Sequence, residues 1–183
     1  MKTISPKGLT TSKIFKFWLP LAATWLMMSM EGPFIAAIIA RLPDAKFNLA
    51  AYGVAFSFAL VIEAPVIMIM SAATALVKDN YSFKKLKFFT YTLNGIITGL
   101  MILFLIPSVF NYVAIDLISL PKNVADLTYV ATLILLPWPG TIGYRRFYQG
   151  IMIRYNHTKR VAYGTVIRLV TMLTTALVMY IYF

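Results

Sequence analysis

Five long apolar stretches take up most of this 183-residue chain, and that pattern leaves it few ways to fold. In hydrocarbon every backbone N–H and C=O has to be satisfied within the chain, which runs of about 20 residues achieve as α-helices. Runs of this kind lie near residues 17–40, 49–77, 88–110, 124–153 and 161–183. The expected class is an all-α integral membrane protein with about five transmembrane helices, organised as a single membrane domain over residues 1–183. The sequence has no polar, Ser/Gly-rich or low-complexity linker to divide it. The first run continues past Pro20 to Ala40 with no small-residue cleavage site after a short core, so it reads as a retained span rather than a signal peptide.

The charge lies mainly between the runs. A net charge of +11 without an exposed basic face interleaved with aromatics gives no reason to expect nucleic acid as a partner. The first connection holds Arg41, Asp44 and Lys46, and the second Lys78, Asp79, Lys84, Lys85 and Lys87. The third holds Asp116, Lys122 and Asp126, and the fourth Arg154, His157, Lys159 and Arg160. Basic excess thus alternates, and the positive-inside rule puts the amino terminus and the second and fourth connections in the cytoplasm, with a bacterial inner or plasma membrane as the expected location. The lipid bilayer is then the first partner. With no cysteine, a single histidine and no Ser-His or DxxD-type cluster, neither a metal site nor an enzyme is expected. The last run ends Tyr180-Ile181-Tyr182-Phe183 with no polar flank. That ending reads as a piece of a longer transporter or as a half-unit that needs a partner chain.

Charges inside the runs are the candidates for function, because a carboxylate at the bilayer centre costs roughly 2.5 to 3.5 kcal/mol on insertion scales and persists only with a partner, a proton or a water-filled cavity. Two acids qualify, Glu31 in Glu31-Gly32-Pro33 and Glu63 in Glu63-Ala64-Pro65. Each lies roughly 15 to 21 Å from the outer end of its helix at 1.5 Å per residue, so both are expected near the midplane and able to face one cavity. Pro33 and Pro65 lack an N–H and are expected to kink their helices, freeing the carbonyls of Ser29 and Val61 beside the acids. Such a pair suits a coupling proton or sodium ion. The competing reading is that each Glu is protonated and only holds helices together.

The fourth run carries Pro137, Pro139, Gly140, Gly143 and Gly150, which predicts a broken helix with the carbonyls of Leu133 and Leu135 released. Arg145, Arg146 and Gln149 follow, Arg168 lies about 12 Å into the fifth run, and Asn94 and Thr98 lie four apart on the third. Thr165, Arg168, Thr171 and Thr175 are expected to form a polar stripe. Guanidinium groups bind phosphate oxygens bidentately, so Arg145, Arg146, Gln149, Arg168 and Asn94 are the expected contacts of an anionic substrate. Snorkelling to the head groups is the alternative for the arginines.

In the order of these features the chain resembles the amino-terminal lobe of the multidrug/oligosaccharidyl-lipid/polysaccharide (MOP) flippase superfamily, most closely a MATE-like multidrug efflux antiporter or the progressive-ankylosis branch. The features are Pro20 with an acid in the first span, Ala51-Tyr52-Gly53 opening the second, and Gly143-Tyr144-Arg145-Arg146 with Gln149-Gly150 in the kinked fourth. The resemblance implies most of one six-helix lobe, a missing second lobe or partner chain, and Glu31 as the matching coupling acid, with Glu in place of the more usual Asp. It implies a secondary active transporter or flippase carrying a small-molecule or lipid-linked substrate, with no cofactor beyond the coupling ion. The alternative is a non-transporting membrane scaffold or subunit of an oligomer.

Overall fold

A computed structural model of the chain describes residues 10–182. Phe183 of the fifth expected span, and Lys2 and Lys7, lie outside the described residues. Among the latter the secondary structure is entirely helical: α1 (Thr11–Ser29), α2 (Glu31–Ile39), α3 (Ala45–Ile67), α4 (Ile69–Leu76), α5 (Asn80–Phe104), α6 (Pro107–Asn111), a π-helical turn (Tyr112–Leu117), α7 (Lys122–Ile134), α8 (Trp138–Arg154) and α9 (Thr158–Tyr182). By length and apolarity four segments can cross a membrane, Thr11–Ile39, Ala45–Leu76, Asn80–Phe104 and Thr158–Tyr182, which is the pattern of a membrane-embedded protein.

Several expected boundaries move, each for a local reason. The third helix starts at Asn80 rather than near 88, because Asp79 and Ser82 form a capping box: Ser82 N–H donates to the Asp79 carboxylate at 2.8 Å, and Ser82 Oγ accepts from Asp79 N–H at 3.0 Å. Two of the lysines that made this segment look like a connection lie over aromatic rings of the helix, Lys85 Nζ 4.7 Å from the centre of Tyr81 and Lys87 Nζ 5.6 Å from that of Tyr91. The same helix ends at Phe104 rather than near 110, since Pro107 restricts the residue before it and opens a new short helix. The fourth expected span is two helices of 13 and 17 residues, neither of which reaches the roughly 20 residues a span requires. Its break covers Leu135 to Pro137.

The hydrogen bonds of the Asp79 cap, Ser82 N–H first, hold the Asp79 carboxyl below the ordinary carboxylate range. A folded-state pKa below the unfolded one means that the cap's contribution is fully present above the unfolded pKa and is lost as pH falls through the folded one. Asp79→Ala is therefore expected to speed amide exchange at Ser82 and Phe83 at neutral pH while leaving the middle of α5 protected. In the parent protein the same amides should lose protection only in acid below the carboxylate range.

The chain divides into two compact units, residues 1–38 with 152–183 and residues 39–151. In the first, α1 packs along α9. Lys16 and Phe17 near the start of α1 line one cleft with residues at the start of α9, and Glu31 at the start of α2 reaches Arg168 further along α9, so the pair runs parallel. In the second unit α3 packs along α7, and both helices bury small side chains: Ala51, Ala55 and Ala59 four apart on α3, and Ala125, Thr128 and Thr132 on α7. Small residues let helix backbones approach closely where lipid offers no hydrophobic drive between helices. The buried threonines satisfy themselves, Thr128 Oγ1 donating to Val124 O and Thr132 Oγ1 to Thr128 O, both at 2.7 Å. At one end of this unit Phe58, Phe104, Phe110 and Tyr129 pack edge to face, and Tyr129 Oη donates to Leu105 O, one of the carbonyls left over at the end of α5.

Candidate functional site

Glu31 and Glu63 fall in different units and find different partners. Glu31 is the first residue of α2, because the chain breaks at Met30 and restarts with Gly32 and Pro33 in a first helical turn, where a missing proline N–H does no harm. This position puts the carboxylate at the positive end of the α2 dipole. It also brings it to Arg168, whose Nη2 forms an ion pair with Glu31 Oε1; both side chains are mostly buried. Arg168 Nε is buried and meets no hydrogen-bond partner among the described residues. The guanidinium is thus only part-satisfied by protein, with its Nη2 edge on the acid.

The threonines beside Arg168 do not complete a polar stripe. Thr165 is buried, but its hydroxyl donates back to Val161 O at 3.1 Å, and Thr171 and Thr175 are exposed, with Thr171 bonded to Ile167 O at 2.9 Å. The face of α9 in the first unit is instead Val161, Thr165, Arg168 and Met172, so Arg168 is its one charged position.

In the second unit Glu63 is 4% exposed and accepts a hydrogen bond from the indole Nε1 of Trp138, the residue that opens α8. Trp138 also packs against Val66, Ile97 and Ile142, so one side chain both fills the space between α3 and α8 and satisfies the acid. The guanidinium groups of Arg146 and Arg145 lie within electrostatic reach of Glu63. Arg146 is 6% exposed, with Nη1 3.8 Å from Met70 Sδ, and Gln149 is 8% exposed, so neither extends outward as a snorkelling side chain would. Arg145 is half-buried, beside Tyr144 and Tyr148 whose ring centres stand 4.7 Å apart. Asn94 is buried against α8: Nδ2 donates to Gly140 O at 3.4 Å, while Oδ1 finds no hydrogen-bond partner among the described residues and rests where a side chain at Gly143 would have to go.

The prolines act differently from expectation in one respect. The helix breaks fall at Met30, Met68 and Leu135–Pro137; Pro65 remains within α3, and Pro139 is the second residue of α8. The carbonyls of Leu133 and Leu135, expected to be released by Pro137 and Pro139, accept from Leu136 N–H at 3.1 Å and Trp138 N–H at 2.9 Å. Tighter i→i+3 bonds reclaim them, as at many helix ends. Each of them thus already accepts a backbone hydrogen bond.

Of the two acids' partners, sequence reasoning gave Arg168 to an anionic substrate rather than to Glu31, and gave Trp138 no role. One signal was available: an indole N–H within an apolar run needs an acceptor, and Glu63 is one of two acids singled out inside such runs. Among the described residues no cluster of three or more His, Cys, Asp or Glu is arranged to hold a metal. No protein-family model matches this chain, and no curated protein or solved structure matches it.

Proposed function

We propose that this chain works in ion-coupled transport or flipping of an amphiphilic or anionic solute, as most of the amino-terminal lobe of a MATE-like or progressive-ankylosis-like MOP flippase. The same proposal gives it a bacterial plasma-membrane location, a cytoplasmic amino terminus, and a second lobe or partner chain against which the lobe rocks. The observation that carries it is the ion pair between Glu31 and Arg168, inside two segments of membrane-spanning length, with part of the guanidinium left unsatisfied. An acid and a base that neutralise one another can be parted by a proton or a sodium ion on the acid, and the released guanidinium is then a site for an anionic group. Glu63, with Arg145, Arg146, Gln149 and Asn94, supplies a second polar cluster for the same task.

Reconstituted together with its second lobe or partner chain into liposomes with an NBD-labelled anionic phospholipid, the protein is expected to move the label between leaflets in response to an imposed proton or sodium gradient. Glu31→Gln should lower that gradient-dependent rate at least tenfold, a loss of about 1.4 kcal/mol or more in barrier terms. Full gradient-driven movement in Glu31→Gln removes Glu31 from the coupling step.

The scaffold reading is favoured by one specific observation: both acids are already satisfied by protein partners, Glu31 by Arg168 and Glu63 by Trp138. On that reading Glu31→Gln changes assembly with partner chains, and no gradient-driven movement is found in the parent protein either.

A further inference from the structure

We infer that the first unit carries a seat for the phosphate of an anionic phospholipid head group, in the cleft between the start of α1 and the turn that leads into α9. The inference is independent of whether the protein transports anything. The cleft measures about 450 Å³ and is lined by Lys16 and Phe17 from α1 and by His157, Lys159 and Arg160 from the turn and first residues of α9.

The turn is built rather than loose. Helix α8 ends in a Schellman arrangement, with Asn156 in the left-handed region at φ 61°, His157 N–H donating to Met152 O at 2.8 Å and Asn156 N–H to Ile153 O at 3.1 Å. Arg160 N–H then returns to His157 O at 3.0 Å and starts the next helix. Three residues that can each donate to a phosphate oxygen are thereby held next to one another, facing a lysine from a second helix.

Charge and depth point to the same ligand. Glu31 is the one acid in residues 1–38 and 152–183, and it is engaged by Arg168. Lys16, Lys159 and Arg160 therefore have no acidic partner among the described residues, and a counter-charge has to come from outside the unit. The cleft sits at the same end of two parallel segments that are each long enough to cross a bilayer, so it opens where head groups lie. Phe17 in its wall and the exposed Trp18 next to it are side chains suited to that level, one for the glycerol and upper acyl region and one for the interface. Basic pockets between transmembrane helices are a recurring way to hold phospholipid head groups.

The test uses the whole chain in phosphatidylcholine nanodiscs containing a minor fraction of phosphatidylglycerol, with retained lipid counted by native mass spectrometry after release. The parent protein should retain phosphatidylglycerol over phosphatidylcholine. Lys16→Gln/Arg160→Gln should weaken that retention about 30-fold, the product of two basic contacts at an anionic surface. Both side chains are exposed, so the fold should survive, and Lys159→Gln gives a second, single-site readout. Lys84→Gln/Lys85→Gln, which removes two exposed lysines from α5, should change retention less than threefold. Equal losses in the two double variants would mean a general attraction of basic protein for anionic lipid and would overturn the proposal, as would a parent protein that retains no phosphatidylglycerol. Displacement of the lipid by millimolar inorganic phosphate would assign the cleft to a free anion instead and would equally overturn it.

Discussion

Arg168→Leu is expected to destabilise the first unit, in which α1 packs along α9, by about 3 kcal/mol, measured by reversible unfolding in mixed detergent or bicelles. The size follows from what remains rather than from what is lost. The ion pair itself contributes little net free energy, because both groups had to leave water to make it. Removing the arginine alone leaves Glu31 in a mostly buried site among apolar side chains with its partner gone. Glu31→Leu/Arg168→Leu should therefore recover most of the loss, since replacing both partners leaves no uncompensated charge. A double variant as unstable as Arg168→Leu would show that the guanidinium acts through packing and not through the acid. The exchange Glu31→Arg/Arg168→Glu keeps the pair but puts the positive charge at the start of α2, against that helix's dipole, and is expected to recover less.

The second large effect is expected at Gly150. A methyl group there would overlap the carbonyl oxygen of Met70 and crowd the Cβ of Ala73, both on the neighbouring α3–α4 segment. Neither can rotate aside, because one is backbone and the other has no rotatable bond. Thr74 Oγ1 ties the same place together, its one hydroxyl hydrogen shared between Met70 O at 2.9 Å and Gly150 O at 3.1 Å. Gly150→Ala should thus push α8 away from α4 and lower stability by about 2 kcal/mol, within the overpacking range and well outside the effect of an exposed substitution. Gly143→Ala first meets the side chain of Asn94, which can rotate away, and should cost less. Gly99→Ala meets nothing, so the better helix propensity of alanine should make it neutral or stabilising by up to about 1 kcal/mol. If Gly99→Ala and Gly150→Ala shifted the unfolding midpoint alike, close packing of α4 on α8 would not be what Gly150 supplies.

These two effects show where the sequence was legible and where it was not. The apolar runs, the irregular 135–139 segment and the unusual acids and arginines inside the runs were all visible, because each depends on composition or on a proline at a known place. The early start of α5 was also written in the chain, as Asp79 three residues before Ser82 at the edge of a lysine-rich segment. It was hidden because a lysine-rich segment reads as a connection, whereas Lys85 and Lys87 lie over aromatic rings of the same helix. The partners were not legible. Glu31 and Arg168 are 137 positions apart, and Glu63 and Trp138 are 75 apart. Joining such pairs requires the rotation of each helix about its axis, and helices apolar on nearly every side carry too little periodicity to give it.

The sequence by itself determined that this chain forms long helices suited to a membrane, and roughly where they break, because the backbone in an apolar medium has no other partner than itself and proline has no N–H to give. Tertiary structure alone decided which polar groups meet: that Glu31 pairs with Arg168, that Trp138 satisfies Glu63, that the carbonyls near Pro137 and Pro139 are reclaimed, and that Gly150 rather than Gly140 or Gly99 marks the close approach. These are properties of helix phase and packing distance. Both are set by side chains far apart in the chain acting together, and no single residue or spacing encodes them.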